Sequence, residues 1–336
     1  MMTDDQLTKA MSSVEPEDPY LHLLTSGTTG LPKAAESPHR ESLRLLHWGA
    51  LPSPRGLGLT KDDRVLGVMP FTGGAGTGQV PMCIIVGATL VVLEAFDAEE
   101  ALKIIERERI TATTLLVPTM VRMMLDHPDF GKFNISSFKR TYVGGAPVTR
   151  DLFELMRDSM GMEVVLSHYG MVETYGPVVV LGPGDSEEQI INTVGYPLPH
   201  ILVKIIDPNS GEELGPEQNG EICLKGAQPE IRISSGYYSD PEKTAELIDK
   251  DGWLHMGDMG HIRKKDGYLK VTGRIKDMVI VGGYNVYPAE IEQTLVRHPA
   301  VKDAAVVGVP DQRLGEVPMA FVQLKDGVTC SENDIR

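Results

Sequence analysis

From about residue 64 to 170, apolar runs of strand length alternate with helical patterns, and the packing that suits this alternation is a parallel sheet covered by helices. "GATLVVLE" reads as a buried strand. Asp97 with Glu100 forms a capping box for the helix "DAEEALKIIERERI", and "TATTLLV" returns as the next strand, stopped by Pro118. The pattern repeats in "KRTYVGG", the helix "TRDLFELMRDSM" and the strand "VVLSHYG". Each exit loop is rich in Gly or small residues, and ligand groups belong at such strand ends.

The character changes beyond residue 190. Between about 191 and 273, short strands such as "ILVKIID", "EICLKG" and "YLKVTG" are separated by Gly, Pro, Asn and Asp turns, which predicts a β-rich, barrel-like unit almost without helices. After "GRIKD" a third pattern begins, with the strand "MVIVGG", the helix "PAEIEQTLVRH" opened by Pro288, and the strands "AAVVGV" and "MAFVQL". Three units are therefore expected: an α/β sheet over 64–190, a β-rich part over 191–273, and an α+β part over 274–336.

At 336 residues the chain is too long for one ordinary core and long enough for an enzyme. Lys and Arg total 32 against 47 Asp and Glu, a formal charge of −15, which argues against a nucleic-acid partner and against an anionic membrane surface. Cys83, Cys223 and Cys330 are far apart and in no metal-ligand spacing, so a zinc site is not expected and a reducing, cytoplasmic setting is. The acidic N-terminal stretch lacks the features of a signal peptide, and no apolar run approaches a membrane span.

The stretch "LLTSGTTGLPKAA" is the strongest chemical signal. Gly27 and Gly30 let backbone N–H groups face an anion, Ser26, Thr28 and Thr29 donate hydrogen bonds, and Lys33 supplies a point charge. That chemistry fits a polyphosphate; the competing reading is an ordinary Gly/Thr turn. A Walker A loop is excluded, because Pro32 stands where its second Gly is required and Ala34 where its magnesium-binding hydroxyl is required. "GGAGTG" at 73–78 imitates a dinucleotide fingerprint but carries Gln79 where the last Gly is needed, so it reads instead as a Gly-rich wall of a substrate cleft.

Six motifs in order resemble those of the adenylate-forming superfamily, which includes acyl-CoA synthetases, luciferases and the adenylation domains of peptide synthetases. They are "TSGTTGLPK", "GGAP" at 144–147, "YGMVE" at 169–173, "GEICLKG" at 220–226, "GWLHMGD" at 252–258 and "GRIKDMVIVGGYNVYPAEIE" at 273–292. The resemblance implies an ATP-dependent ligase that joins a carboxylic acid to AMP and passes the acyl group to coenzyme A. It implies that Ser26, Gly27, Thr28, Thr29, Gly30 and Lys33 hold the β and γ phosphates and that Glu173 is the magnesium-associated carboxylate. Tyr169, beside Gly170, would stack on adenine, which Gly145, Ala146 and Pro147 would border; Asp258 would accept the ribose hydroxyls and Arg274 would reach ribose or phosphate. Lys33, Glu173 and Arg274 are thus the expected catalytic groups. Lys276 and Asp277 match the hinge of the family, and Gly282 and Gly283 would let the pantetheine arm pass close to the backbone. Phe71, Thr72, Gly73, Gly144 and His168 are the expected acyl-pocket lining, with no basic residue among those motifs, which suits a neutral, mainly apolar acyl tail.

Departures from the pattern are few and specific. Val172 replaces the usual Thr or Ser before the magnesium Glu, Met256 a common Thr or Arg, and Thr72 a common His. Only 23 residues precede Leu24, and the chain ends at Arg336 before the Pro/Gly-rich motif whose Lys contacts the acyl carboxylate in the family. The expectation is an incomplete large domain over 1–273 and an incomplete small domain over 274–336, with self-association or a complementing chain covering the gaps. Two competing readings accompany it: a non-catalytic nucleotide-binding or interaction protein, and an adenylating unit that serves a carrier protein.

Overall fold

The structure, a computed structural model, describes residues 3–25, 32–50, 55–146, 148–282, 284–325 and 327–335, and for 45–50, 284, 285 and 333 the backbone alone. Contacts divide the chain into two compact units, Met1–Leu202 with Leu224–Leu254, and Val203–Cys223 with His255–Arg336.

The first unit opens with helix α1 (Asp4–Ser12), capped by Thr3 and burying no side chain. A hairpin of β1 (Pro19–Thr25) and β2 (Lys33–Pro38) leads into α2 (His39–Ala50). The chain continues through β3 (Arg64–Gly67), α3 (Gly74–Val86), β4 (Thr89–Val92), α4 (Ala98–Glu108), β5 (Ala112–Leu116) and α5 (Pro118–Leu125). It then forms β6 (Arg140–Val143), α6 (Arg150–Asp158), β7 (Val164–Met171), β8 (Gly176–Val180), α7 (Glu187–Asn192), β9 (Tyr196–Pro197) and, later, α8 (Pro241–Leu247). Strands β3 to β9 make one seven-stranded sheet in the order β4-β3-β5-β6-β7-β8-β9.

The expected parallel sheet is present from β4 to β7, each pair running parallel. Beyond β7 the sheet is antiparallel, because a tight turn after Met171 sends β8 straight back along its neighbour. β4 is a half-exposed edge strand, not the buried one expected, since it has one strand neighbour and Val92 is 49% exposed. Pro118 opens α5 at its first turn as well as ending the strand before it. Asp97 caps α4 by accepting from the Glu100 amide at 2.9 Å, while the Glu100 carboxylate pairs with Lys103 at 2.8 Å.

Amphipathic periodicity explains the packing. Leu102 and Ile105 of α4, and Leu152 and Met156 of α6, are buried together with Val65, Leu66, Leu116 and Leu166 of the sheet. At the N-terminal ends of the parallel strands, buried Asp63 accepts from the Thr60 amide at 2.7 Å and from Thr111 Oγ1 at 2.6 Å. It also pairs with Arg140, whose guanidinium donates to the Gly58 carbonyl at 2.7 Å.

The second unit holds most of a four-stranded sheet in the order β10 (Ile201–Ile206), β11 (Gly220–Gly226), β12 (Leu254–Ile262) and β13 (Leu269–Arg274), with β12 and β13 antiparallel. A second sheet follows, built from β14 (Val279–Val281), β15 (Tyr284–Val286), β16 (Val301–Asp311) and β17 (Gly315–Leu324) in the order β15-β14-β17-β16. Helix α9 (Pro288–Leu295) lies against β16 and β13, and α10 (Glu332–Ile335) ends the described chain. The expected 273/274 boundary thus falls inside the second unit, where β13 and α9 adjoin. Residues 224–254, expected to be β-rich, belong to the first unit and include α8, started by Pro241 and capped by Asp240. No helix among the described residues is long and apolar enough to cross a membrane.

Candidate active site

In the first unit, the C-terminal ends of β3, β5, β6 and β7 carry the residues singled out by the sequence. Residues 68–73 follow β3, 117 follows β5, 144–146 follow β6, and the 3-10 turn Val172–Thr174 follows β7. The chain passes from β3 to β4 on one side and then to β5 on the other, so the strand order reverses at β3. An open α/β sheet forms its ligand crevice at such a reversal.

Glu173 sits in the turn after β7 and is 9% exposed. Fully buried Thr174 ties the turn: its hydroxyl accepts from the Met171 amide at 3.0 Å and lies 2.6 Å from the Gly176 carbonyl it donates to. Tyr175 adopts a left-handed φ of 64°, and Gly170 leaves no room for a side chain, since a Cβ there would lie 2.2 Å from the Gly176 oxygen. The tight reversal therefore fixes where the carboxylate points.

Tyr237 completes this arrangement, and sequence reasoning passed over it. The edge of β2 holds its segment: Tyr238 N donates to the Ala34 carbonyl at 2.8 Å and Glu36 N to the Gly236 carbonyl at 3.1 Å. The Tyr237 phenol donates to Glu173 Oε1 at 2.6 Å, and Lys33 Nζ lies 4.7 Å from the centre of the same ring. Burial, reinforced by the Glu173 carboxylate, pushes the phenol's pKa up. A cation and a carboxylate thus share one aromatic partner, and among the described residues neither forms an ion pair.

Lys33 is also the register partner of Thr25 across the β1/β2 hairpin, so residues 26–32 connect two antiparallel strands. A Walker A loop joins a strand to a helix, and the topology here rejects it independently of the sequence. Ser26, Gly27, Thr28, Thr29 and Gly30 lie outside the described residues, as do Pro147 and Gly283.

The remaining first-unit positions fall around the strand ends. Gly144 is buried between Leu115 and His168, and a Cβ there would approach their side chains to 3.0 and 3.1 Å. Gly145 has φ of 80°, and Ala146 is exposed. His168 stacks on Tyr142 with ring centres 5.2 Å apart, and burial pulls its pKa down to about 4, so the ring is neutral at pH 7. Tyr169 is half-buried, Phe71 is 44% exposed and Thr72 is exposed, while Gly73 forms the N-cap of α3. The "GGAGTG" run is the start of that helix, and a Cβ on Gly76 would lie 2.0 Å from the Pro70 carbonyl oxygen. Close packing of helix against turn accounts for this glycine without any ligand.

In the second unit Asp258 and Arg274 are register partners on β12 and β13, with Asp258 Oδ1 3.5 Å from Arg274 Nε. Lys276 and Asp277 lie exposed on the 3-10 turn that follows. Gly282 takes φ of 57° and its amide donates to the Leu314 carbonyl at 2.9 Å.

Residues 2–238 match the AMP-binding enzyme family and residues 290–336 the AMP-binding enzyme C-terminal domain. A methyl-dioxo-octahydroindenyl-propanoyl:CoA ligase of Mycobacterium tuberculosis is 39% identical over 98% of the chain and 61% of its own length. The fatty acid–acyl-carrier-protein ligase ScoC of Streptomyces coeruleorubidus is 38% identical over 96% of the chain and 61% of its own. Among solved structures, the o-succinylbenzoate CoA synthetase MenE of Bacillus subtilis, in complex with its acyl-adenylate intermediate, superimposes with a TM-score of 0.79 at 31% identity, covering 94% of this chain and 61% of that one. The chain thus spans about three fifths of the length of the curated relatives it matches.

Proposed function

The chain belongs to the AMP-binding enzyme family, and on that premise we propose that it carries the nucleotide-binding machinery of a carboxylate–CoA ligase. The observation that supports the reading most directly is the sharing of Tyr237 by Lys33 and Glu173, beside a loop whose composition suits a polyphosphate.

In the proposed reaction a carboxylate oxygen of an organic or fatty acid attacks the α-phosphorus of ATP, the bond to the bridging oxygen breaks, and pyrophosphate leaves. The thiol of coenzyme A then attacks the acyl carbon, AMP departs with the electron pair of the anhydride bond, and the thiol proton passes to solvent. Backbone amides and hydroxyls of Ser26 to Gly30, with Lys33, hold the β and γ phosphates, where their charge stabilises the leaving pyrophosphate. Glu173 suits magnesium: its Oε1 is fixed by Tyr237, and a carboxylate is a hard oxygen donor. Magnesium, when bound, supplies further neutralising charge to the phosphates.

Tyr169 stacks on adenine beside Gly145, Ala146, Pro147 and Gly170, Asp258 accepts from the ribose hydroxyls, and Arg274 reaches ribose or phosphate. Lys276 and Asp277 form the hinge of a small domain beginning at 274, and Gly282 with Gly283 borders the pantetheine path. The acyl tail lies along Phe71, Thr72, Gly73, Gly144 and His168. A neutral His168 favours an uncharged tail there. A carrier-protein thiol is the second acceptor to weigh, because ScoC, a relative at 38% identity, is named for that acceptor. A reducing cytoplasmic setting suits Cys83, Cys223 and Cys330, which form no disulfide among the described residues.

Calorimetry of ATP binding in the presence of magnesium tests the reading on the parent chain, Lys33→Ala and Asp258→Ala. Micromolar binding by the parent and its loss in both variants is the expected result. A parent chain that does not bind ATP would sink the proposal. Binding without acyl-adenylate formation from any acid tested would favour a nucleotide-binding role over a catalytic one.

A further inference from the structure

Three different metal-ligating groups converge in the second unit, and we propose that Glu221, Cys223 and His255 form a site for a zinc-like, borderline-soft divalent cation. This inference stands apart from the nucleotide chemistry and uses none of its residues.

The sequence hides the cluster because its members come from separate strands. Glu221 and Cys223 are two apart on β11, so strand alternation places both side chains on one face. Strand β12, the neighbour of β11 in the sheet, supplies His255. Glu221 Oε2 lies 3.0 Å from His255 Nδ1, and Cys223 Sγ lies 3.7 Å from the same nitrogen. All three ligand atoms fall within 4.8 Å of one another.

The two separations to His255 Nδ1 are close to what zinc requires. Bond lengths of about 2.0 Å to nitrogen or oxygen and about 2.3 Å to sulfur, at tetrahedral angles, give ligand edges of roughly 3.3 Å for N···O and roughly 3.5 Å for N···S. The two edges that meet at His255 Nδ1 lie within a few tenths of an ångström of these values, and the third, between Glu221 and Cys223, is no longer than 4.8 Å. A hydrogen bond between Glu221 and His255 would tie the two strands without sulfur. A buried thiol aimed at the same nitrogen adds the soft donor that selects zinc-like ions over magnesium or calcium. Cys223 is fully buried, whereas the side chains of His255 and Glu221 are 28% and 12% exposed, so an ion has a path in from their side.

Three protein ligands leave a fourth tetrahedral position for water. Binding would release the Cys223 thiol proton and any proton on His255 Nδ1, which makes affinity fall with falling pH. The ion would cross-link β11 to β12 and stabilise the folded chain in proportion to its occupancy.

The test uses the intact chain, stripped with a chelator and titrated with Co2+ and then Zn2+. The expected result is one equivalent of Co2+ per chain with a thiolate-to-cobalt charge-transfer band, its displacement by Zn2+, and a rise in the thermal midpoint. Cys223→Ser should abolish the band. Because that side chain is buried, Glu221→Gln and His255→Gln provide independent checks, each expected to weaken Co2+ binding roughly tenfold or more. A parent chain without the band overturns the proposal. So does a band that persists in Cys223→Ser, which would place the thiolate at Cys83 or Cys330.

Discussion

The Tyr237 phenol donates a 2.6 Å hydrogen bond to Glu173 Oε1 while its ring faces Lys33 Nζ at 4.7 Å. One residue therefore touches both the lysine proposed for the phosphates and the carboxylate proposed for magnesium. The phenol leaves Glu173 a second carboxylate oxygen, and the ring offers the lysine an electron-rich face without discharging it, as a carboxylate partner would.

Tyr237→Phe removes the hydrogen bond and keeps the ring. A hydrogen bond to a charged group is worth about 1.5–3 kcal/mol, so magnesium-dependent ATP affinity should fall by roughly tenfold to a hundredfold. In a Glu173→Gln background the same substitution should cost little more, because the partner is already changed. Calorimetry on the four chains of this cycle is the measurement, and additive losses would show that Tyr237 does not act through Glu173.

The turn that aims Glu173 yields a second expectation. Gly170→Ala would drive a Cβ to 2.2 Å from the Gly176 oxygen, a backbone atom that cannot move aside. Overpacking of this kind costs about 1–3 kcal/mol, and the variant should also lose nucleotide affinity because the turn must open. Gly131 has nothing within 4 Å of its would-be Cβ, so Gly131→Ala should stay within about 0.5 kcal/mol of the parent. Urea denaturation of both variants separates the two cases.

How much of this was legible in the sequence follows from what each signal encodes. Strands β4 to β7 and helices α4 and α6 declare themselves through periodicity, because side chains such as Leu102 and Ile105 must repeat on one helical face to be buried, whereas α3 does not. The antiparallel β8 did not, since its direction depends on the turn at Thr174 and the same apolar run suits either orientation. Glu173, Asp258 and Arg274 stand out only through motifs, and the structure makes Asp258 and Arg274 cross-strand partners. Tyr237 carried no comparable local pattern: its position follows from bridging to β2, some two hundred residues earlier in the chain. The run at 73–78, read as a Gly-rich cleft wall, begins helix α3 instead, because a glycine needed for helix–turn packing, such as Gly76 against Pro70, looks the same in sequence as one lining a cleft.

Stability should depend on pH through His168. Its folded pKa is pulled from 6.5 to about 4 by burial, so the folded chain refuses a proton that the unfolded chain accepts. Stability is therefore fully present above about pH 6.5 and declines as pH falls towards 4, with a limiting slope of about 1.4 kcal/mol per pH unit. His200 is shifted in the same direction, also to about 4, chiefly by burial and secondarily by Arg44, and adds to the decline. Urea midpoints at pH 7.5, 6 and 5 should fall in that order for the parent and more shallowly for His168→Gln, whose amide does not titrate in this range. A midpoint that rises on acidification would contradict the assignment.

The N-terminal ends of the parallel strands should matter for stability and not for the nucleotide. Asp63, 4% exposed, gathers the Thr60 amide, Thr111 Oγ1 and the Arg140 guanidinium, and Arg140 also donates to the carbonyls of Leu57 and Gly58. Removing one member leaves a buried charge uncompensated, which costs about 3–5 kcal/mol. Asp63→Ala should lower the unfolding free energy by about that amount, and Asp63→Asn, which keeps one acceptor oxygen for either the Thr60 amide or the Thr111 hydroxyl, should lose less. Candidate ligand residues of this sheet lie at the opposite, C-terminal ends, so ATP affinity in the folded fraction should match the parent. Equilibrium unfolding paired with calorimetry at low temperature distinguishes the two effects, and an Asp63→Asn chain that folds normally yet binds ATP tenfold more weakly would show that the two ends of the sheet are coupled.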